Sequence, residues 1–463
     1  MLFNSFEFLI FFPIIFGVYY LINHKYRWIF LLVCSYYFYM NWEPIYALLI
    51  FLSTLITFYC SKLISDEKFK IYRKPILLFS IISNFGILFL FKYYNFVTNS
   101  FNDVLSFLNL KVDFPSFKFL LPVGISFYTF QAVGYSIDVY LRKVTHETHL
   151  GKYALFVSFF PQLVAGPIER SGNLIPQFHK KVVFNFYKGV SGMKLIIWGL
   201  FMKVVVGDRL GIYVDTVYNN TSSHSSISLI LATIFFSFQI YCDFAGYSNI
   251  AIGCARILGF DLMTNFKRPY FSVNPIDFWR NWHISLSTWF KDYVYIPLGG
   301  SRVSSYRRYL NLFITFLISG LWHGANWTFV LWGALNGFYQ IFYLLFLKKL
   351  NFNGKILRFI GVILTFILIS FSWIFFRANS IGDAFQVVNT IFTNTNSLFT
   401  GGTTNLILSI TGLSILLIKE LYDEFFDFFN SSRIVNYAFY IGIVFVIILN
   451  GVFDGGQFIY FQF

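Results

Sequence analysis

The sequence predicts an all-α polytopic membrane protein, with one transmembrane domain running over residues 1–463. Two observations lead there. Charged residues make up only 12% of the chain and hydrophobic ones 57%, whereas a soluble domain usually has about 25% charged residues. Apolar runs such as Phe6–Ile22, Ile76–Leu90, Leu357–Phe376 and Tyr437–Val452 recur along the whole length. They reach or approach the ~20 residues that cross ~30 Å of hydrocarbon as a helix. About eleven to thirteen such segments are expected, re-entrant or interfacial helices included.

Taken in order, the first run has no basic region before it and no small-residue cleavage site after it. It also holds Glu7 and Pro13, so it reads as a retained helix rather than a signal peptide. The turn His24-Lys25-Tyr26-Arg27 and the segment SKLISDEKFKIYRK (61–74) are basic and lie two helices apart. Alternation puts both on one side, joined there by Arg142-Lys143 and the 302–308 stretch. A basic excess in short loops marks the cytoplasmic face, so the N-terminus is expected outside. The formal charge of +14 is accordingly a topology signal, and no nucleic-acid partner is expected. The remaining polar breaks, near 98–118, 168–185, 218–227, 261–277, 348–355, 377–403 and 423–435, are too short for a soluble domain. Cys34, Cys60, Cys242 and Cys254 lie in apolar stretches without metal-ligand spacing and read as small buried hydrophobes.

Polar residues within apolar sequence concentrate between 239 and 340, the candidate catalytic core region. That asymmetry argues against the paired halves of a carrier. Of seven histidines, His24, His146, His149, His179 and His224 fall in polar loops. His283 and His323 alone sit among aromatic and aliphatic residues. On a helix beginning near Tyr309, Asn311, Thr315, Ser319 and His323 recur every fourth residue and share one face. Gly324 would loosen the helix beside the histidine. Trp322 and Trp327 would restrict water around it, and Asn326 would hold a ring nitrogen or an incoming hydroxyl.

In NPIDFWRNWHISLSTWFKD (274–292), Asn274 suits a cap and Pro275 the first turn. Continued as one helix, this segment places Arg280, His283, Ser287 and Lys291 within roughly 80° of one another. The competing reading is an interfacial amphipathic helix. In QIYCDFAGYSN (239–249), Gln239, Asp243 and Tyr247 share a face, and Asp243 is expected to pair with an arginine such as Arg256 or Arg280, or to hydrate a cavity.

The chain has no GxSxG, P-loop or HExxH motif and no array of metal ligands. No metal or bound cofactor is expected. Two histidines in apolar surroundings suit proton abstraction, since the neutral imidazole is a competent base. A proton-coupled transporter or flippase would use Asp243, His283 and His323 as a relay instead.

With these stretches in view, the sequence resembles the membrane-bound O-acyltransferases, specifically their bacterial alginate and polysaccharide O-acetylase branch. The resemblance lies in LVAGPIER (163–170), YCDFAGYSNIAIG (241–253), FWRNWHISLSTWFKDYVYIPLGG (278–300) and SGLWHGANWTFVLWG (319–333). The opening MLFNSFEFLIFF, WIFFRA at 373–378 and the closing FIYFQF extend it over the whole chain.

The resemblance implies a helical fold around a central tunnel or funnel. A cytoplasmic acyl thioester, acetyl-CoA or an acyl carrier, would serve as co-substrate, and an extracytoplasmic polysaccharide hydroxyl as acceptor. An SGNH-type acetyltransferase is a possible relay partner. The implied location is the bacterial cytoplasmic membrane. By the same resemblance, His323 is the essential catalytic residue, assigned here as the base, and His283 the second functional position; the residue pattern adds Arg280, Ser287, Lys291, Asp243, Trp322 and Asn326 as candidate substrate-binding residues. The alternative within the family is D-alanyl transfer toward teichoic acid, which the YIPLGGSR passage and the chain length disfavour.

Overall fold

The computed structural model describes residues 1–110, 114–117, 121–164, 166–348, 354–395, 397–426 and 432–453. The closing FIYFQF and residue 165 of LVAGPIER lie outside the described residues. Every regular element among the described residues is a helix. Seven helices there are long and apolar enough to cross a membrane, and Phe6–Leu21 and Ile434–Asn450 are shorter apolar ones. The chain is thus an all-α polytopic membrane protein. It folds as two compact units, Met1–Gly192 with Cys254–Met263, and Met193–Gly253 with Thr264–Phe463.

The first unit holds α1 (Phe6–Leu21), α2 (His24–Met40), α3 (Ala47–Ser65), α4 (Arg73–Leu88), α5 (Tyr94–Phe107), α6 (Ile125–Tyr140), α7 (Leu150–Ser158), α8 (Phe160–Leu163) and α9 (Ser171–His179). Buried hydroxyls and an amide hold α3, α4, α6 and α7 together. Ser53 donates to Asn84 at 2.5 Å, Ser61 to Ser136 at 3.3 Å, and Tyr153 to Thr57 at 2.6 Å. In lipid, where apolar burial gives helices little reason to associate, such bonds and close packing do. At one end of the unit Arg73 and Arg142 share Glu67, Trp28 packs on His149, and His179 pairs with Glu147. The basic turns at 24–27, 61–74 and 142–143 therefore gather at one end. His149 also caps α7.

From α10 (Phe186–Leu200) the chain runs into the second unit, with α11 (Asp208–Tyr218), α12 (Ser226–Ile257), α13 (Pro275–Asn281), α14 (Ile284–Phe290), α15 (Ser305–His323), α16 (Trp327–Phe342), α17 (Lys355–Arg377), α18 (Ile381–Thr393), α19 (Thr403–Phe425) and α20 (Arg433–Asn450). Its core is aromatic: Trp332 stacks on Trp373 at 5.5 Å, and Trp282 meets Trp373 at 5.1 Å. α15 and α16 cross with their backbones in contact. A Cβ on Gly320 would lie 2.2 Å from the Phe329 carbonyl oxygen, and one on Gly333 2.4 Å from that of Phe316. Only glycine permits this approach, and it fixes the last turn of α15, which ends at His323.

Candidate active site

Asn311, Thr315, Ser319 and His323 do fall on one buried stripe of α15. Thr315 Oγ1 donates to the Asn311 carbonyl at 2.7 Å, which satisfies a hydroxyl that would otherwise be costly in this setting. The helix stops at His323 because Gly324 is extended, with φ −166° and ψ 152°. Around the His323 ring stand Trp322 and Trp332, each with its centroid at 4.9 Å, and Phe376 at 5.3 Å. Trp322 also faces His283 at 5.9 Å. One indole thus packs against both buried histidines of the core region.

The segment 274–292 does not continue as one helix. Asn274 caps α13 and Pro275 opens it, as the sequence predicts. The helix then ends at Asn281, and His283 takes the left-handed conformation, φ 41° and ψ 55°, before α14 begins. Asn265 causes the break: its carbonyl accepts the Ile284 N–H at 2.8 Å, and its Oδ1 accepts the Ser285 N–H at 3.3 Å and the Ser285 hydroxyl at 2.9 Å. These bonds replace the helical ones that the two N–H groups would otherwise make. Left-handed backbone is uncommon outside glycine and persists where surrounding contacts hold it.

The same amide sets the histidine tautomer. The Ser285 backbone N–H can only donate, and the other end of the amide donates to Ser248 Oγ at 3.1 Å. The Asn265 atom 3.1 Å from His283 Nδ1 is therefore an oxygen. Nδ1 must carry the proton, and Nε2 holds the lone pair. Phe244 lies against the ring at 4.5 Å. Burial pushes the His283 pKa down to about 3, which keeps the ring neutral. His283 lies outside the seven spans.

The break separates residues that a continuous helix would align. Arg280, Ser287 and Lys291 line a cavity of about 460 Å³ together with Arg308, Thr315 and Ser319, and His283 is not among its lining residues. The expected four-residue face is thus three residues plus a histidine turned into the core. Arg280 pairs with Asp277 at 3.2 Å and stays largely exposed. Thr315 and Ser319 belong to both the cavity wall and the α15 stripe that ends at His323.

Three further expectations change. Asp243 pairs with neither Arg256 nor Arg280. Lys203 reaches it at 2.6 Å and Asp208 at 2.7 Å, forming a buried triad whose single ammonium serves two carboxylates. Asn326 is the N-cap of α16: its Oδ1 accepts the Thr328 N–H at 3.0 Å and its amide donates to the Asn379 carbonyl at 3.0 Å. Trp327 is 53% exposed, so Trp332 and Phe376 take the water-excluding place expected of it. All four cysteines are free, three of them buried.

Asn265 and Lys203 escaped the sequence reading. Asn265 sits in a polar loop, where asparagine draws no notice. Lys203, inside FMKVVV, was the available signal: a lysine in an apolar run requires a buried acid. Arg308 read only as part of a basic loop.

Comparison with known proteins adds the following. Residues 143–381 match the family model described as MBOAT, membrane-bound O-acyltransferase family. The chain is 39% identical over 343 residues to the probable alginate O-acetylase AlgI of Pseudomonas aeruginosa, covering 73% of this chain and 65% of that one. It is 36% identical to a peptidoglycan O-acetyltransferase of Helicobacter pylori, over 66% of this chain and 62% of the relative. A teichoic acid D-alanyltransferase of Bacillus subtilis is similar at 27%, over 49% and 60%. The chain thus spans less than two thirds of the length of the first two of these relatives.

Proposed function

This chain belongs to the membrane-bound O-acyltransferase family, and from that premise we propose that it transfers an acyl group, specifically acetyl, from a thioester to a hydroxyl. The donor is acetyl-CoA or an acyl carrier on the cytoplasmic side. The acceptor is an extracytoplasmic polysaccharide, reached directly or through an SGNH-type acetyltransferase. The N-terminus lies outside, and the membrane is the bacterial cytoplasmic membrane. Acetyl is chosen because the relatives named for O-acetylation are more similar than the one named for D-alanyl transfer.

The observation that supports this most is the shared wall of cavity and stripe. Thr315 and Ser319 border the cavity and lead along α15 to His323. Arg280, Lys291 and Arg308 suit the phosphates of a coenzyme or carrier prosthetic group, because cationic donors bind phosphate oxygens strongly. The cavity volume falls in the range of small-molecule sites, about 300–1,000 Å³.

In this reading His323 takes the proton of the acceptor hydroxyl as its oxygen attacks the thioester carbonyl. The C–O bond forms, the C–S bond breaks, and the departing thiolate takes the proton from the imidazolium. General base action of this kind contributes about 10²–10⁴-fold. Trp322, Trp332 and Phe376 exclude competing water. His283, presenting a lone pair on Nε2, positions the donor or steadies the charge that develops.

The test is acetyl transfer by the purified chain in liposomes, with labelled acetyl-CoA as probe donor, a glycan acceptor and matched protein abundance. His323→Ala and His323→Gln should insert normally and form almost no ester. Substantial transfer by both would make His323 a packing residue. A D-alanyl thioester in parallel separates the alternative donor, and solute flux without ester formation would identify a transporter.

A further inference from the structure

The first unit contains a second cavity, of about 630 Å³, bordered by Lys180, Lys181, Lys188, Arg256, Tyr20 and Asp261, among others. Four cationic side chains there meet one carboxylate. Asp261 is engaged with Lys188 at 2.8 Å. Among the described residues no carboxylate pairs with Lys180, Lys181 or Arg256. Arg256 donates one bond, to Ser191 Oγ at 2.8 Å, and a guanidinium has five N–H donors.

Hydrogen bonds among and behind the lining residues hold the walls. Gln177 clamps the Asp261 backbone from both sides, accepting its N–H at 2.8 Å and donating to its carbonyl at 2.9 Å. Arg27 donates to the carbonyl oxygens of Val182 at 2.7 Å and Tyr20 at 3.3 Å, and the Tyr20 hydroxyl ties α1 to the Ile257 carbonyl at 2.9 Å. A cavity fixed in this way loses little entropy on binding. Immediately after Lys180-Lys181 come the exposed apolar side chains Val183, Phe184, Phe186 and Tyr187. Cations next to exposed aromatic residues mark the level where headgroups meet acyl chains.

We infer that this cavity binds a phosphate ester, and that its occupant in the membrane is the headgroup of an anionic phospholipid. Arg256 supplies a planar fork for two phosphate oxygens, and Lys180 and Lys181 supply point charges. The exposed aromatic run lies where the acyl chains of such a lipid would leave the cavity. None of these residues belongs to the proposed acyl-transfer machinery, so the inference stands or falls separately from that reading.

The test uses the full purified chain in nanodiscs of dioleoylphosphatidylcholine, with or without dioleoylphosphatidylglycerol. The readouts are lipid retention by native mass spectrometry and thermal stability. The anionic lipid should be retained and should raise the melting temperature, whereas phosphatidylcholine alone should not. Lys180→Gln with Lys181→Gln should weaken retention about 30-fold, the scale for removing two cations near a membrane surface. Lys68→Gln with Lys70→Gln, at the same basic end but outside the cavity, should leave it unchanged. Arg256→Gln should also weaken it; if that variant misfolds, the exposed lysine pair still decides. Equal retention in the Lys180/Lys181 variant and wild type, or equal retention of both lipids, would overturn the proposal. Glycerol 3-phosphate and inorganic phosphate are the soluble probes. If either saturates the cavity at micromolar concentration and the anionic lipid is not retained, the lipid assignment is overturned and a soluble phosphate ester takes its place.

Discussion

Replacing Asn265 with alanine should unlatch His283 and expose how much of the site depends on one amide. The Oδ1 atom accepts three bonds, from His283 Nδ1, Ser285 Oγ and the Ser285 N–H, at 3.1, 2.9 and 3.3 Å. Both Asn265 and His283 are 1% exposed, so water does not readily replace the lost oxygen. The Ser285 hydroxyl is 3.4 Å from His283 Nδ1 and can turn to accept from it. That rescue leaves about two stranded donors at ~1–3 kcal/mol each, a destabilisation of ~2–6 kcal/mol. Losing the group that fixes a histidine tautomer should lower kcat by roughly 10–100-fold. Asn265→Asp keeps an acceptor for all three donors but buries a carboxylate, so it should restore the bond to His283 Nδ1 without recovering the full stability.

The assays are chemical denaturation in detergent, kcat at saturating donor, and ¹⁵N spectra of labelled histidine, where the wild-type His283 should show a protonated Nδ1. Burial also makes a pH statement. The folded value of about 3 lies below the ~6.5 of an unfolded histidine. Between those values the unfolded chain binds the extra proton. This contribution to stability is complete above pH ~6.5 and is lost as pH falls toward ~3, by ~2 kcal/mol at pH 5. His283→Gln should flatten that slope. Unchanged stability, turnover and tautomer signal in Asn265→Ala would refute the latch.

Gly320→Val should prevent the α15–α16 crossing, since even a Cβ would lie 2.2 Å from a carbonyl oxygen; a folded variant at normal yield would contradict it. Lys203→Met leaves Asp208 and Asp243 buried without their cation and should cost about 3–5 kcal/mol. Lys203→Met with Asp208→Asn and Asp243→Asn should restore much of that, as measured by thermal unfolding. Arg280→Ala should raise the donor KM several-fold with little change in kcat or acceptor KM, because Arg280 borders the cavity, whose lining includes neither imidazole, and its guanidinium is largely exposed. Loss of expression with unchanged donor dependence would instead make it an interfacial anchor.

What the sequence made legible was local and periodic. The long apolar helices follow from hydropathy and length, the α13 start from Asn274-Pro275, and the α15 stripe from a spacing of four. What it concealed came from partners distant along the chain. Nothing inside FWRNWHISLS announces a break at His283, because the competing acceptors belong to Asn265, eighteen residues from the ring they hold. Asp243 drew attention correctly as an acid in an apolar helix, yet its cation lies on a different helix segment. A lysine in FMKVVV reads from sequence as a stray topology charge, so the spacing points to arginine partners instead. Helical periodicity describes one element at a time, whereas buried polar groups are satisfied between elements.

The string SGLWHGANW illustrates how much one short stretch can be required to do. Ser319 borders the cavity, Gly320 admits the α16 backbone, Trp322 packs on both imidazoles, and Asn326 starts α16. Gly324 must lack a side chain, because a Cβ there would lie 2.1 Å from the Phe329 ring. Packing and capping account for Gly320, Trp322, Gly324 and Asn326, but packing does not call for an imidazole at the centre. Phenylalanine or leucine would fill a pocket of Trp322, Trp332 and Phe376 without placing a polar ring among apolar ones. The histidine stands against that physical preference at the end of the polar stripe that borders the cavity. Proton transfer to or from a bound hydroxyl is a task an imidazole performs and those hydrocarbon side chains do not.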